Sequence, residues 1–126
     1  MSKQRVVLIV EDDFGLRRMW RLALSFAGFE ILEAGDGIEA LYLVEQNRPD
    51  IVVLDLGLPK LDGISVVQEI AAHAYSRHIP IVVVTSSTQD LTHIDVSCIL
   101  RKPVTPETVE AAIRKCLQSG APGAAI

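Results

Sequence analysis

Five short segments rich in apolar and mostly β-branched residues are spaced along the chain, and polar residues follow each of them. Apolar runs of this length without alternation are typical of strands that are covered on both faces of a sheet. Pro80 lies near the start of the fourth segment, where a missing backbone donor is tolerated. The predicted strands cover residues 6–10, 30–33, 51–54, 79–84 and 96–100.

Helices are predicted between most of these strands, because apolar residues recur there every three or four positions. The first helix is predicted over residues 13–27 and ends at Gly28, and Thr105 and Pro106 begin the last one. Strands that alternate with helices predict an α/β fold, in which right-handed crossovers build a parallel sheet with helices on both faces. We expect one domain over residues 1–117 and a flexible tail or linker over residues 118–126.

A group of charged residues follows the predicted strands. Glu11 and Asp12 come after the first strand, Asp55 after the third and Lys102 after the fifth. Side chains just beyond the carboxyl ends of parallel strands face one crevice, so we expect these four to lie together. Three carboxylates roughly 5 Å apart repel each other by about 3 kcal/mol per pair, and they therefore need a shared proton or a cation. The arrangement predicts a site rather than core packing.

Magnesium is the cation that this donor set favours, because Mg²⁺ prefers oxygen ligands and a phosphate often completes its coordination shell. Asp55 is the candidate nucleophile, since a carboxylate can attack phosphorus and form an acyl phosphate. Lys102 would add positive charge to the transition state. The hydroxyl of Thr85, just past the fourth strand, could donate to a phosphoryl oxygen. These residue types in this order predict phosphoryl chemistry.

Composition narrows the classes of function. The chain has 126 residues, enough for one hydrophobic core, and its net charge of −4 argues against direct binding of nucleic acid. The one basic cluster, Arg17, Arg18 and Arg21, is expected to be a solvated helix face. No apolar stretch is long enough for a signal peptide core or a membrane span. Cys98 and Cys116 lack metal-binding spacing, so we expect buried free thiols and a cytoplasmic protein.

The candidate site residues occur within longer motifs. These are residues 8–13 (LIVEDD), 34–41 (AGDGIEAL), 50–59 (DIVVLDLGLP), 62–63 (DG), 81–86 (IVVVTS) and 102–103 (KP). In this combination the chain resembles the receiver domain of response regulators, the phosphoaccepting domain of two-component systems and phosphorelays. The resemblance extends over residues 5–117, which is nearly the whole chain.

The resemblance implies a flavodoxin-like, doubly wound sheet of five parallel strands in the order 2-1-3-4-5. It implies a signalling domain rather than an enzyme, one that catalyses only its own phosphotransfer and dephosphorylation. The expected donor is a sensor histidine kinase or a histidine phosphotransfer protein, and no direct contact with nucleic acid or membrane is expected. By the family pattern, Asp55 accepts the phosphoryl group, Thr85 and Lys102 bind it, and Glu11, Asp12, Asp55 and the backbone carbonyl of Gly57 hold Mg²⁺.

Two features depart from the family pattern. The position three residues before Lys102 is usually aromatic and here is Ile99, so the aromatic switch that accompanies movement of the threonine is missing. The segment between Thr85 and Lys102 is also shorter than usual. We expect its helix to be short or irregular, with Ser87 and Asp90 as a possible capping box. The hypothesis is that the signal leaves through an altered output face, without the usual amide protection over residues 88–100.

Three other interpretations compete with this one. A haloacid-dehalogenase-like phosphatase needs a second Asp two positions after its nucleophile, and this chain has Gly57 there. A nucleotide-binding Rossmann domain needs a glycine-rich turn after the first strand, whereas the acidic turn here would repel a pyrophosphate. A receiver-fold interaction module that is not phosphorylated in the cell stays open, because the pocket residues are present while the output face is altered.

Overall fold

Five strands and four helices form from residues 3–119, the part of the chain that the computed structural model describes. The strands are β1 (Val6–Val10), β2 (Glu30–Ala34), β3 (Ile51–Leu54), β4 (Ile81–Thr85) and β5 (Cys98–Arg101). The helices are α1 (Phe14–Phe26), α2 (Gly37–Asn47), α3 (Gly63–Ala72) and α4 (Pro106–Gln118). All strands pair in parallel in the order β2-β1-β3-β4-β5, which confirms the predicted fold class and topology.

The sheet is buried on both faces because alternate strand residues enter two separate cores. Leu8 and Val10 of β1 pack with α2 and α3, whereas Val7 and Ile9 pack with α1 and α4. This division follows from the two-residue period of a strand, and it explains why both β1 and β3 are apolar without alternation. Burying a side chain of this size stabilises the fold by about 1.5–3 kcal/mol.

Each helix begins at a residue whose side chain accepts a hydrogen bond from the backbone three positions later. The four N-caps are Asp13, Asp36, Asp62 and Thr105. At the other end of α1, Gly28 has a φ of 105°, and the amide of Phe29 donates to the carbonyl of Leu24. The predicted helix starts at Asp13 and Thr105 and the stop at Gly28 are therefore correct.

The fourth and fifth strands lie later in the chain than predicted. Ile79 is outside β4, because its amide donates to Ser76 in a turn, and Thr85 is the last residue of the strand rather than the first after it. Val96 packs against the core without joining the ladder, so that β5 begins at Cys98. The fourth apolar run predicted burial correctly, but neither run predicted where strand pairing begins. Cys98 is half-buried, in contrast to the buried position that we expected.

Residues 86–97, all of which the structure describes, contain no helix. The predicted short or irregular helix is thus replaced by turns, and Ser87 and Asp90 do not form a capping box. Instead, the Ser87 hydroxyl accepts from Gln89 and the Asp90 carboxylate accepts from Thr92. Leu91 is buried, and Ile94 and Val96 pack against the core on the side of α2 and α3.

The predicted tail begins inside α4, which continues through Gln118, and residues 120–126 lie outside the described part of the chain. The boundary between domain and tail therefore stays a prediction. Among residues 3–119, no helix combines the length and the apolar character needed to cross a lipid bilayer.

Candidate functional site

The parallel sheet brings the candidate residues together at its carboxyl edge. Glu11 follows β1, Asp55 follows β3, Thr85 ends β4 and Lys102 follows β5. Backbone hydrogen bonds continue the ladder past the strand ends: the amide of Asp55 donates to Val10 at 3.0 Å, and the amide of Lys102 donates to Thr85 at 2.8 Å. Strand register alone therefore aligns four side chains that are far apart in the sequence.

Three carboxylates converge at this edge. One oxygen from each of Glu11, Asp12 and Asp55 lies within 4.8 Å of the others. Glu11 is 1% exposed and Asp55 7%, while Asp12 is exposed at the mouth of the group. Among the described residues, this is the one group of His, Cys, Asp and Glu side chains with the spacing of a metal site. An all-oxygen donor set that is partly open to water suits a hard divalent cation such as Mg²⁺.

Lys102 balances part of the negative charge. Its Nζ lies 2.9 Å from Glu11 Oε1 and 3.3 Å from Asp55 Oδ2, and it lies 6.0 Å from the centre of the buried Trp20 ring. Burial is the main influence on the carboxyl group of Glu11 and raises its pKa to about 6, although the hydrogen bond from Lys102 opposes this rise. Burial alone would lower the pKa of Lys102, but the hydrogen bond to Glu11 and the charges of both acids outweigh it and raise that pKa.

Backbone amides and one arginine hold the acids in place. The amide of Asp13 donates to Glu11 Oε2 at 3.2 Å, and the amide of Gly57 donates to Asp55 Oδ1 at 3.1 Å. Arg17 reaches back from α1 and donates to the backbone carbonyl of Glu11 at 2.8 Å, while it also pairs with Glu33 at 3.2 Å. Each contact restricts the orientation of one acid.

The basic cluster on α1 is not simply a solvated face, as the sequence had suggested. Arg21 also pairs with Glu33, at 3.1 Å, and of the three arginines only Arg18 is exposed. Sequence reasoning missed the link from Arg17 to the site. Its spacing of six residues from Glu11, across the first turn of α1, is a signal that could have suggested it.

A cleft of about 510 Å³ opens beside the acids. Thr85 is 2% exposed at its wall, and its Oγ1 accepts a hydrogen bond from the amide of Ser87 at 3.1 Å. The opposite wall comes from the loop after β3, which is closely packed on the start of α3. The cleft is lined by Asp55, Leu56, Gly57, Asp62, Ile64, Thr85, Ser86, Ser87 and Gln89.

Ile99 is half-buried and packs into the core on the side of α2 and α3. Its Cα pairs with Val83 in the register of β4 and β5. The position that is usually aromatic in receiver domains is therefore filled here by an aliphatic side chain that is part of the core.

Comparison with known proteins matches residues 7–114 to the family model described as the response regulator receiver domain. The chain belongs to this family. The receiver domain is 35% identical over 123 residues to the probable transcriptional regulator ycf27 of Porphyridium aerugineum, covering 94% of this chain and 50% of that protein. It is 36% identical over 121 residues to the response regulator MprA of Mycobacterium sp. (strain KMS), covering 92% of this chain and 52% of the relative.

Solved receiver structures share the fold. The chemotaxis response regulator CheY4 of Vibrio cholerae superposes with a TM-score of 0.83 at 27% identity, over 90% of this chain and 98% of that one. The receiver domain of the sensor histidine kinase PA1611 of Pseudomonas aeruginosa, which has a magnesium ion coordinated in its active-site cleft, gives a TM-score of 0.85 at 26% identity, over 93% of this chain and 100% of that one.

The receiver domain spans about half the length of the curated relatives that it matches. The ycf27 proteins, which are named as probable transcriptional regulators, are therefore about twice as long as the region that matches this chain. What the family membership establishes for this chain is a signalling domain with an acidic pocket.

Proposed function

We propose that this receiver domain accepts a phosphoryl group on Asp55 from a phosphohistidine, in a reaction that depends on Mg²⁺. The convergence of three carboxylates within 4.8 Å, with the ammonium of Lys102 bonded to two of them, carries the proposal. The donor would be a sensor histidine kinase or a histidine phosphotransfer protein. Such a donor is consistent with the family and with the cleft beside Asp55, which is open to an incoming side chain.

Asp55 is suited to act as the nucleophile. Its Oδ1 is held by the amide of Gly57, and its Oδ2 contacts Lys102 at 3.3 Å. Attack by a carboxylate oxygen forms the new O–P bond while the N–P bond of the phosphohistidine breaks, and the imidazole leaves with that electron pair. Thr85 and Lys102 would bind the transferred phosphoryl oxygens, since Thr85 lines the cleft together with Asp55 and Lys102 contacts Asp55 directly.

Glu11, Asp12 and Asp55, with the backbone carbonyl of Gly57, would hold the Mg²⁺ ion. When bound, the metal would offset the charge that accumulates on the phosphoryl oxygens. The chain itself prepares the site by keeping two buried acids beside a single ammonium, an arrangement with excess negative charge. Mutual repulsion of the acids favours binding of a cation in this pocket rather than elsewhere.

The proposed output differs from that of a receiver domain with an aromatic switch. Ile99 is part of the core, and residues 86–97 form turns rather than a helix. We infer that phosphorylation is read through this altered surface. The receiver domain would act alone or within a longer regulator, and the downstream partner is a protein whose identity is open.

Intact-mass measurement after incubation with acetyl phosphate tests the proposal. The chain with Mg²⁺ should gain the mass of one phosphoryl group, and the Asp55→Asn variant or the chain with EDTA should gain none. The irregular segment 86–97 favours a second candidate, an interaction module that is not phosphorylated. Failure of the unmodified chain to gain mass with Mg²⁺ would support that second function and refute the first.

A further inference from the structure

Arg101 joins the segment after β4 to the edge of the sheet, and we propose that it couples the phosphoryl pocket to residues 86–97. The inference rests on the proposed function, because the event that it transmits is phosphorylation of Asp55. It assigns the coupling role to an arginine at the end of β5, in a chain whose Ile99 is aliphatic and packs against the core.

The position of Arg101 follows from strand register. It is the last residue of β5, and its Cα pairs with Thr85, the last residue of β4. Residues two apart on a strand share a face, so the side chain of Arg101 leaves the sheet on the same side as that of Ile99. This is the side where a helix between β4 and β5 would pack, and residues 86–97 cross it as turns.

The guanidinium of Arg101 bridges two backbone carbonyls in those turns. Nη1 donates to the carbonyl of Ser87, and Nη2 donates to the carbonyl of Gln89 at 2.9 Å. A planar guanidinium can make both bonds at once, whereas a lysine ammonium has no such fixed fork. The segment also bonds to β4 at its two ends, where the amide of Ser87 donates to Thr85 and the amide of Ser97 donates to the carbonyl of Ile81. Arg101 adds a side-chain link from β5 to the first turns of the segment.

Ser87 connects this link to the pocket. Its amide donates to Thr85 Oγ1 at 3.1 Å, and its carbonyl accepts from Arg101. One residue is therefore held from the pocket side by a threonine hydroxyl and from the output side by an arginine. If the Thr85 hydroxyl turns to a phosphoryl oxygen, the Ser87 amide loses its acceptor, and the peptide groups around Ser87 must find new partners. The change reaches Gln89 through the second bond of Arg101.

Amide hydrogen exchange of the full chain tests the coupling. Peptides that cover residues 86–97 are compared with and without beryllium fluoride and Mg²⁺, which together mimic the phosphoryl group. The mimic should alter exchange in this segment of the unmodified chain. In Arg101→Ala, exchange without the mimic should be about tenfold faster, because both hydrogen bonds that tie the segment to the guanidinium are lost. Most of the response to the mimic should be lost as well.

One further variant and one control separate the outcomes. In Arg101→Lys, both the exchange rate and the response to the mimic should lie between those of the unmodified chain and those of Arg101→Ala. This variant keeps the test informative if the alanine variant does not fold. Arg18→Ala removes an exposed arginine from α1 and should behave like the unmodified chain. Phosphoryl uptake from acetyl phosphate should persist in every Arg101 variant.

The possible failures are distinguishable. If the unmodified chain takes up no phosphoryl group, the proposed function is wrong and the coupling fails with it. If uptake occurs and Arg101→Ala responds to the mimic as strongly as the unmodified chain, only the role of Arg101 is refuted.

Discussion

Without metal, the Asp12→Asn variant should be more stable than the unmodified chain. When Mg²⁺ is abundant, the variant should be less stable than the unmodified chain. The carboxylate of Asp12 lies within reach of those of Glu11 and Asp55, while Lys102 makes its ion pairs with the other two acids. Asparagine removes one negative charge and leaves both ion pairs intact. The change therefore isolates the repulsion within the pocket.

The size of the effect follows from distance and exposure. Unit charges 4.8 Å apart repel by about 3.5 kcal/mol at an effective dielectric of about 20, and by ~0.9 kcal/mol in bulk water. Because Asp12 is exposed, the repulsion energy of each of its two carboxylate pairs should be nearer the value for bulk water. Attraction between Asp12 and the Lys102 ammonium offsets part of this repulsion. We expect a net gain of about 1–2 kcal/mol, which corresponds to a rise in Tm of roughly 4–8 °C for a domain of this size.

Thermal unfolding followed by circular dichroism provides the assay, first with EDTA and then across a Mg²⁺ titration. The unmodified chain should gain stability with Mg²⁺ according to RT ln(1 + [L]/Kd), and the variant should gain much less because one ligand is neutral. The two Tm curves should therefore cross as Mg²⁺ increases.

Asp13→Asn is the matched control, since it removes the same charge one residue later. Asp13 caps α1 by accepting from Leu16, and asparagine caps equally well, so no stabilisation is expected with EDTA. An Asp12→Asn variant that is no more stable than Asp13→Asn in EDTA, or that responds to Mg²⁺ like the unmodified chain, would show that the triad is not a repulsive cation site.

Substitutions at four further positions test how the fold supports the site, each measured by urea unfolding. Gly63→Ala would place a Cβ 2.8 Å from the backbone oxygen of Asp55 and should cost about 1–3 kcal/mol and slow phosphoryl uptake. Gly57→Ala should leave stability unchanged, because the added Cβ would lie 3.9 Å from its nearest neighbour, Oδ1 of Asp55. Equal losses of stability at the two glycines would contradict this reasoning. Thr105→Ala should cost about 1 kcal/mol by removing the cap of α4, with Thr105→Ser retaining it. Ile113→Ala, at a fully buried position, should cost about 2–5 kcal/mol, and a smaller loss would mean that the α1–α4 core can collapse around the cavity.

The convergence of Glu11, Asp55 and Lys102 could be predicted from sequence because it depends on strand direction rather than on side-chain detail. Once the sheet is parallel, every strand ends at the same edge, and any polar residue just past a buried run must lie there. Helix starts were predictable for a similar reason. An Asp or Thr cap acts within four residues of chain, so that local sequence determines it.

Arg17 and Trp20 show what the sequence pattern leaves open. Both lie on α1, and their contacts with Glu11 and Lys102 depend on how α1 is rotated on the sheet and how far each side chain reaches. Helical periodicity assigns Trp20 to the buried face but does not say which strand end it approaches. Contacts of this kind are tertiary, and a pattern of apolar positions carries no information about them.

Residues 86–97 illustrate a competition that the sequence only partly reveals. A helix of one or two turns gains few hydrogen bonds for the entropy of its nucleus. Here the Ser87 hydroxyl and the Asp90 carboxylate each accept a hydrogen bond from the backbone amide two positions later. These bonds stabilise turns in place of a helix. The carbonyls that a helix would have satisfied are free to accept from outside the segment, and Arg101 binds two of them. Loss of the helix and the role of Arg101 thus have one physical cause, so a variant that restored helix-forming residues here should also release Arg101 from Ser87.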